Sequence, residues 1–131
     1  MLAGAVLGAL SSLALAHDVT PSALTLRPGG EDVFYVVDQS GCPAAIQATS
    51  LSPSLVKVYA VDMSNPSVLL PGGGTTITVP DRIDQVFVVR AEPNIAGNPM
   101  AVIEVCWVGN TAPNPPCPEN NCTPHLPHLV T

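Results

Sequence analysis

In the stretch LVKVYAV, residues 55–61, Leu55, Lys57, Tyr59 and Val61 fall on one side of an extended chain, and Val56, Val58 and Ala60 fall on the other. Strand side chains point alternately to opposite faces, whereas a helix repeats its apolar positions every three or four residues. The run is rich in β-branched and aromatic residues and carries one lysine, so it reads as a strand. Ser52-Pro53-Ser54 turns the chain just before it.

The same kind of segment recurs on both sides. Ala23–Leu26 leads into the turn Arg27-Pro28-Gly29-Gly30, and EDVFYVVD (Glu31–Asp38) is followed by the turn Asp38-Gln39-Ser40-Gly41. Ala45–Leu51 follows, then the opening stretch, then Thr75–Val79 after the loop Gly72-Gly73-Gly74. Gln85–Ala91 and Met100–Val108 complete a set of about seven. Short β-branched runs punctuated by Gly, Pro, Asn and Ser, with no helical period between them, predict an all-β fold. The expected architecture is a single antiparallel sandwich over residues 17–109, with a core of Val33, Tyr35, Val58, Ile77, Phe87, Val89, Ile103, Val105 and Trp107.

Composition narrows the function. Of the 131 residues only 11% are charged, yet 47% are hydrophobic, so disorder throughout is excluded. One lysine (Lys57) and three arginines (Arg27, Arg82, Arg90) within a net charge of −6 give no basic surface for nucleic acid. There is no GxSxG, P-loop or HExxH. Asp81 and Asp84 flank Arg82 and read as a turn with local charge pairing. The expectation is a protein that is not an enzyme.

Residues 1–16, MLAGAVLGALSSLALA, carry no charge. As a helix they would span about 24 Å, short of a bilayer crossing. Ala14-Leu15-Ala16 has the small-x-small form of a signal-peptide cleavage site. Two readings follow: a signal peptide that touches the membrane only in transit, or a retained apolar helix buried in an assembly through Leu2, Val6, Leu7, Leu10, Leu13 and Leu15. Either makes the protein exported: cell-surface, periplasmic or extracellular.

Four cysteines, Cys42, Cys106, Cys117 and Cys122, suit two disulfides better than a zinc site, which favours closer pairs. Three pairings are open, and Cys42–Cys106 with Cys117–Cys122 is the expected one. Glu104 shares a strand face with Cys106 and marks that face as solvent-side. The tail from residue 110 to 131 has six prolines in 22 residues and is expected to run as an extended arm outside the sheets. Its end, including Leu129 and Val130, can add a short strand to a neighbour's sheet. Asn121-Cys122-Thr123 matches a glycosylation acceptor.

The stretches DVTPSALTLRPGGEDVFYVV (18–37), ATSLSPSLVKVYAVD (48–62) and MAVIEVCWV (100–108) resemble bacterial immunoglobulin-like domains. That resemblance implies a sandwich whose binding lies in loops and edges. An apolar N-terminal helix joined to a sandwich resembles the plan of archaeal type IV pilins, which implies a filament subunit whose partners are its own copies or other surface subunits. A virion surface or decoration protein shares the same features. A rival rests on His17: after cleavage at Ala16 its amine and imidazole would chelate Cu(II), with His125 and His128 as further ligands. In that one respect the chain resembles periplasmic copper carriers and copper-dependent polysaccharide oxygenases. Otherwise no cofactor is expected.

Overall fold

The computed structural model describes residues 17–38, 43–108 and 121–131. Nine strands make up these residues: β1 (His17–Thr20), β2 (Ala23–Leu26), β3 (Glu31–Asp38), β4 (Ala44–Ser50), β5 (Val56–Ala60), β6 (Thr76–Arg82), β7 (Asp84–Ala91), β8 (Ile103–Val108) and β9 (Asn121–Leu129). They form a four-stranded sheet in the order β1-β3-β7-β5 and a five-stranded sheet in the order β2-β9-β8-β4-β6. All pairings are antiparallel except β2 with β9.

The seven expected strands are all present. Two more were not anticipated. β1 is only four residues with a single inward apolar side chain, Val19, too short to show a period. β9 overturns the expectation that the tail stays out of the sheets, because it lies between β2 and β8. Its prolines are placed where a missing N–H does least harm. Leu126 N–H donates toward β2, to Ser22 O at 3.0 Å. Pro124, two residues earlier, therefore turns its nitrogen to the same side, beyond the end of the β2 register at Ala23↔Leu126. Pro127 faces the other neighbour, where residues 101 and 102 belong to no strand. There the chain is held by Ala101 N–H to Pro127 O (2.8 Å) and Leu129 N–H to Pro99 O (2.9 Å) instead.

The core lies between the sheets. From the four-stranded sheet it takes Val19, Phe34, Val36, Val56, Val58, Phe87 and Val89, and from the five-stranded sheet Leu24, Leu26, Ile46, Ile77, Ile103, Val105, Trp107 and Leu129. Two expected core residues are not there: Val33 is 46% and Tyr35 39% exposed, and Phe34 and Val36 point inward in their place. Phe34 is fixed inside by stacking on Phe87 (ring centroids 5.4 Å) and on His125 of the opposite sheet (4.1 Å).

Edges are managed unevenly. At β6 the register slips by one residue between Ala44↔Arg82 and Ile46↔Val79, and the extra residue goes with Pro80 and with Asp81 at φ 54°. Such a bulge spoils an edge for pairing. The free side of β5 is closed by Gly74, which exchanges two 2.8 Å backbone hydrogen bonds with Val58. The preceding Gly73 has φ 97°, and a Cβ there would sit 2.9 Å from a Tyr59 ring carbon, so glycine is required for that approach. β1 and β2, one on each sheet and joined at Pro21-Ser22, are short edges with no further strand beside them among the described residues.

Candidate interaction surfaces

Among the described side chains, His125 and His128 do not converge. His125 points into the core, fully buried, with neither ring nitrogen hydrogen-bonded among the described residues. Burial pushes its pKa down to about 4, with the Pro21 carbonyl opposing the shift. His128, three positions on, lies on the opposite face of β9, paired with Thr25 of β2. His17 of β1 pairs with Asp38 of β3, and its side chain lies outside the described residues. Among the described residues the side chains close enough to share an ion are Glu104, Cys106 and Cys122. Cys106 and Cys122 are bonded to each other, so neither offers a thiolate.

That disulfide corrects the expected pairing of Cys106 with Cys42 and of Cys122 with Cys117. Cys106 and Cys122 are directly opposite in the β8–β9 ladder, their Cα atoms 4.0 Å apart, and this juxtaposition exists only because the tail enters the sheet. Cys42 and Cys117 lie outside the described residues, as do Leu2, Val6, Leu7, Leu10, Leu13 and Leu15. The tail end expected on a neighbour's sheet is used within the chain: Leu129 is fully buried, and Val130 N–H donates to Leu26 O at 2.8 Å. Arg82 pairs with Asp84 at 3.2 Å, as the turn reading expected.

Sequence reasoning missed two polar or exposed features. Gln85 is fully buried on β7; its Nε2 donates to Val61 O (2.7 Å) and Val86 O (2.8 Å), tying β7 to the chain after β5. The other is the outer face of the four-stranded sheet. Val33, Tyr35 and Val37 of β3 point outward beside Val86 and Val88 of β7 and Tyr59 of β5. Tyr35 Oη donates to Asp84 at 2.8 Å, and that carboxylate holds the phenol above its ordinary pKa. Arg90 lies 4.8 Å over the Tyr59 ring and bonds Glu31 at 2.8 Å. The signal was legible in principle: Val33 to Val37 are five apolar residues in a row, so one parity had to face out.

The fold is an immunoglobulin-like β-sandwich, and solved structures of PapD-like domains are similar to it. A PapD-like domain of human CEP192 matches with TM-score 0.55 at 9% identity, covering 89% of this chain and 85% of that one. The C. elegans MSP family member WR4 matches with TM-score 0.51 at 14% identity, covering 88% and 97%. The E. coli chaperone DraB matches with TM-score 0.52 at 10% identity, covering 88% of this chain and 54% of its own length. The PapD-like likeness bears out the immunoglobulin-like expectation. The pilin plan rested on residues 1–16, outside the described residues. No family model matches the sequence, and no curated protein matches it.

Proposed function

We propose that this chain is an exported, non-enzymatic structural or interaction protein, a subunit of a cell-surface assembly. The observation that carries the reading is the open edge strand β1, which directly follows the sixteen-residue apolar stretch. An unprotected edge offers unpaired N–H and C=O groups to a strand from another chain. An apolar segment joined to it supplies a second, non-directional contact. The disulfide between Cys106 and Cys122 supports an oxidising compartment. The likeness in fold to the chaperone DraB and to the class 5 fimbriae chaperone CfaA (TM-score 0.50, 13% identity) supports a non-enzymatic role with a protein partner.

The test is electron microscopy and pelleting of the protein from its native source, beside a variant lacking residues 1–16. Polymers from the full chain, and species no larger than a dimer from the truncated one, are expected. Polymers persisting after truncation would overturn the role given to residues 1–16, and intact mass showing a mature chain that starts at His17 would overturn it too.

A further inference from the structure

The outward positions of the four-stranded sheet form rows in register across the strands. The first row is Glu31, Arg90 and Lys57; the second Val33, Val88 and Tyr59; the third Thr20, Tyr35 and Val86; the fourth Asp18, Val37 and Asp84. Two apolar rows are thus held between an end with two cations and one anion and an end with two anions. Glu92, paired with Lys57 at 3.1 Å, and Arg82, paired with Asp84 at 3.2 Å, reduce the contrast: the first end is then neutral overall, and the other keeps a net negative charge. Val33 and Tyr35 stand 46% and 39% exposed in the middle, beside Val37, Val86 and Tyr59, which are half-buried, and Val88, which is buried. An apolar patch rimmed by polar residues marks a protein-binding face.

We propose that this face binds a second copy of the chain, sheet against sheet, about a two-fold axis lying in the interface and running across the strands. Charge polarity selects this arrangement. Such an axis reverses the strand direction, so the Arg90 row of each copy meets the Asp84 row of the other, twice, and the two apolar rows close on each other. An axis along the strands would instead set each row against its own image, so that the acidic rows of Asp18 and Asp84 would face each other. The face is large enough: four strands at about 4.8 Å and four rows at about 6.7 Å give a plan of roughly 20 by 20 Å. Its burial on two copies comes to about 1,000 Å², below the roughly 1,200 Å² at which stable specific interfaces begin, so the dimer is weak and reversible. The existing ion pairs and the stacking of Arg90 on Tyr59 hold the rim side chains ready, which lowers the entropy lost on docking. The inference does not rest on the surface-assembly reading, since it involves neither β1's edge nor residues 1–16.

The experiment is sedimentation of the full chain over a concentration series at low salt, with Arg90→Glu, Asp84→Arg and Val33→Glu, each first shown to retain its circular dichroism spectrum. The wild type is expected to dimerise reversibly. Each variant alone is expected to weaken the dimer at least tenfold. An equimolar mixture of Arg90→Glu with Asp84→Arg is expected to restore it to within a few-fold, because both charge contacts become complementary again in the mixed pair. No reversible dimer up to about 1 mM would overturn the proposal. Association unchanged in all three variants would overturn it as well, by assigning the contact to another segment. A mixture no tighter than its components would overturn the orientation. Should Asp84→Arg fail to fold, loss of the dimer in Val33→Glu and Arg90→Glu still supports the face, and its persistence in both overturns it.

Discussion

The two outer faces of the sandwich are built to opposite ends. On the five-stranded sheet the outward residues include Thr76 and Thr78 of β6, Gln47 and Thr49 of β4, Glu104 of β8 and Pro124 of β9. They are tied to one another: Gln47 Nε2 donates to Thr78 Oγ1 at 3.0 Å, Thr76 Oγ1 to Thr49 Oγ1 at 3.3 Å, and Cys106 is bonded to Cys122. Apart from Leu126 of β9, 37% exposed, this is the usual solvated face of an antiparallel sheet. On the four-stranded sheet the corresponding positions hold Val33, Tyr35, Val86, Val88 and Tyr59, with charges only at the two ends. One face completes itself, and the other leaves apolar surface that water does not satisfy. The fold requires both sheets to be apolar inside, but nothing in the fold requires one of them to be apolar outside as well. The surplus on the four-stranded sheet is therefore the part of the molecule with capacity for a partner.

The sharpest way to break this comparison is to exchange neighbours on β3. Phe34→Ala should cost about 3–5 kcal/mol in chemical denaturation, because it empties the stack between Phe87 and His125. Val33→Ala, one residue away on the outer side, should cost about 1 kcal/mol or less. Comparable costs would mean that the outward assignment of Val33 is wrong.

On the five-stranded side, Cys122→Ser should lower stability by about 3 kcal/mol, since the cross-link closes a short loop; the separation of Cys106 and Cys122 is 16 residues. Amide exchange should show β9 losing protection first, and equal loss in β3 and β7 would contradict a local role for the bond.

Acid should act through the same strand. His125 has a folded pKa of about 4 against an ordinary 6.5. The unfolded chain therefore binds a proton in this window that the folded chain does not. Stability from this group is complete above about pH 6.5 and falls as pH drops toward 4, by up to about 3 kcal/mol. His125→Phe should flatten that limb relative to wild type in pH-dependent denaturation; an unchanged slope would mean the imidazole reaches solvent.

The smallest effect belongs to the polar face. Gln47→Ala should change stability by about 0.5 kcal/mol or less and leave association unchanged, as it removes one exposed hydrogen bond. A change in association in this variant would assign the partner to the wrong sheet.

The residues of the sequence determined much of the fold before any contact was known. Alternation at Val56, Val58 and Ala60, the Pro-Gly turn at Pro28-Gly29 and the breaks at Ser52-Pro53-Ser54 and Gly72-Gly73-Gly74 located seven strands, because strand period and turn chemistry are local properties. Glu104 likewise marked the solvent side of Cys106. Three things were decided only by tertiary structure. The phase of β3 is one, since five apolar residues in succession carry no preferred parity, and the stack of Phe34 on Phe87 and His125 chose it. The place of β9 is the second: two prolines argue against a strand until the neighbours put their missing donors at the end of β2 and opposite the break before β8. The third is the partner of Cys106, which depended on the second, because a disulfide joins residues that are close in space and the ladder alone brought Cys122 opposite it.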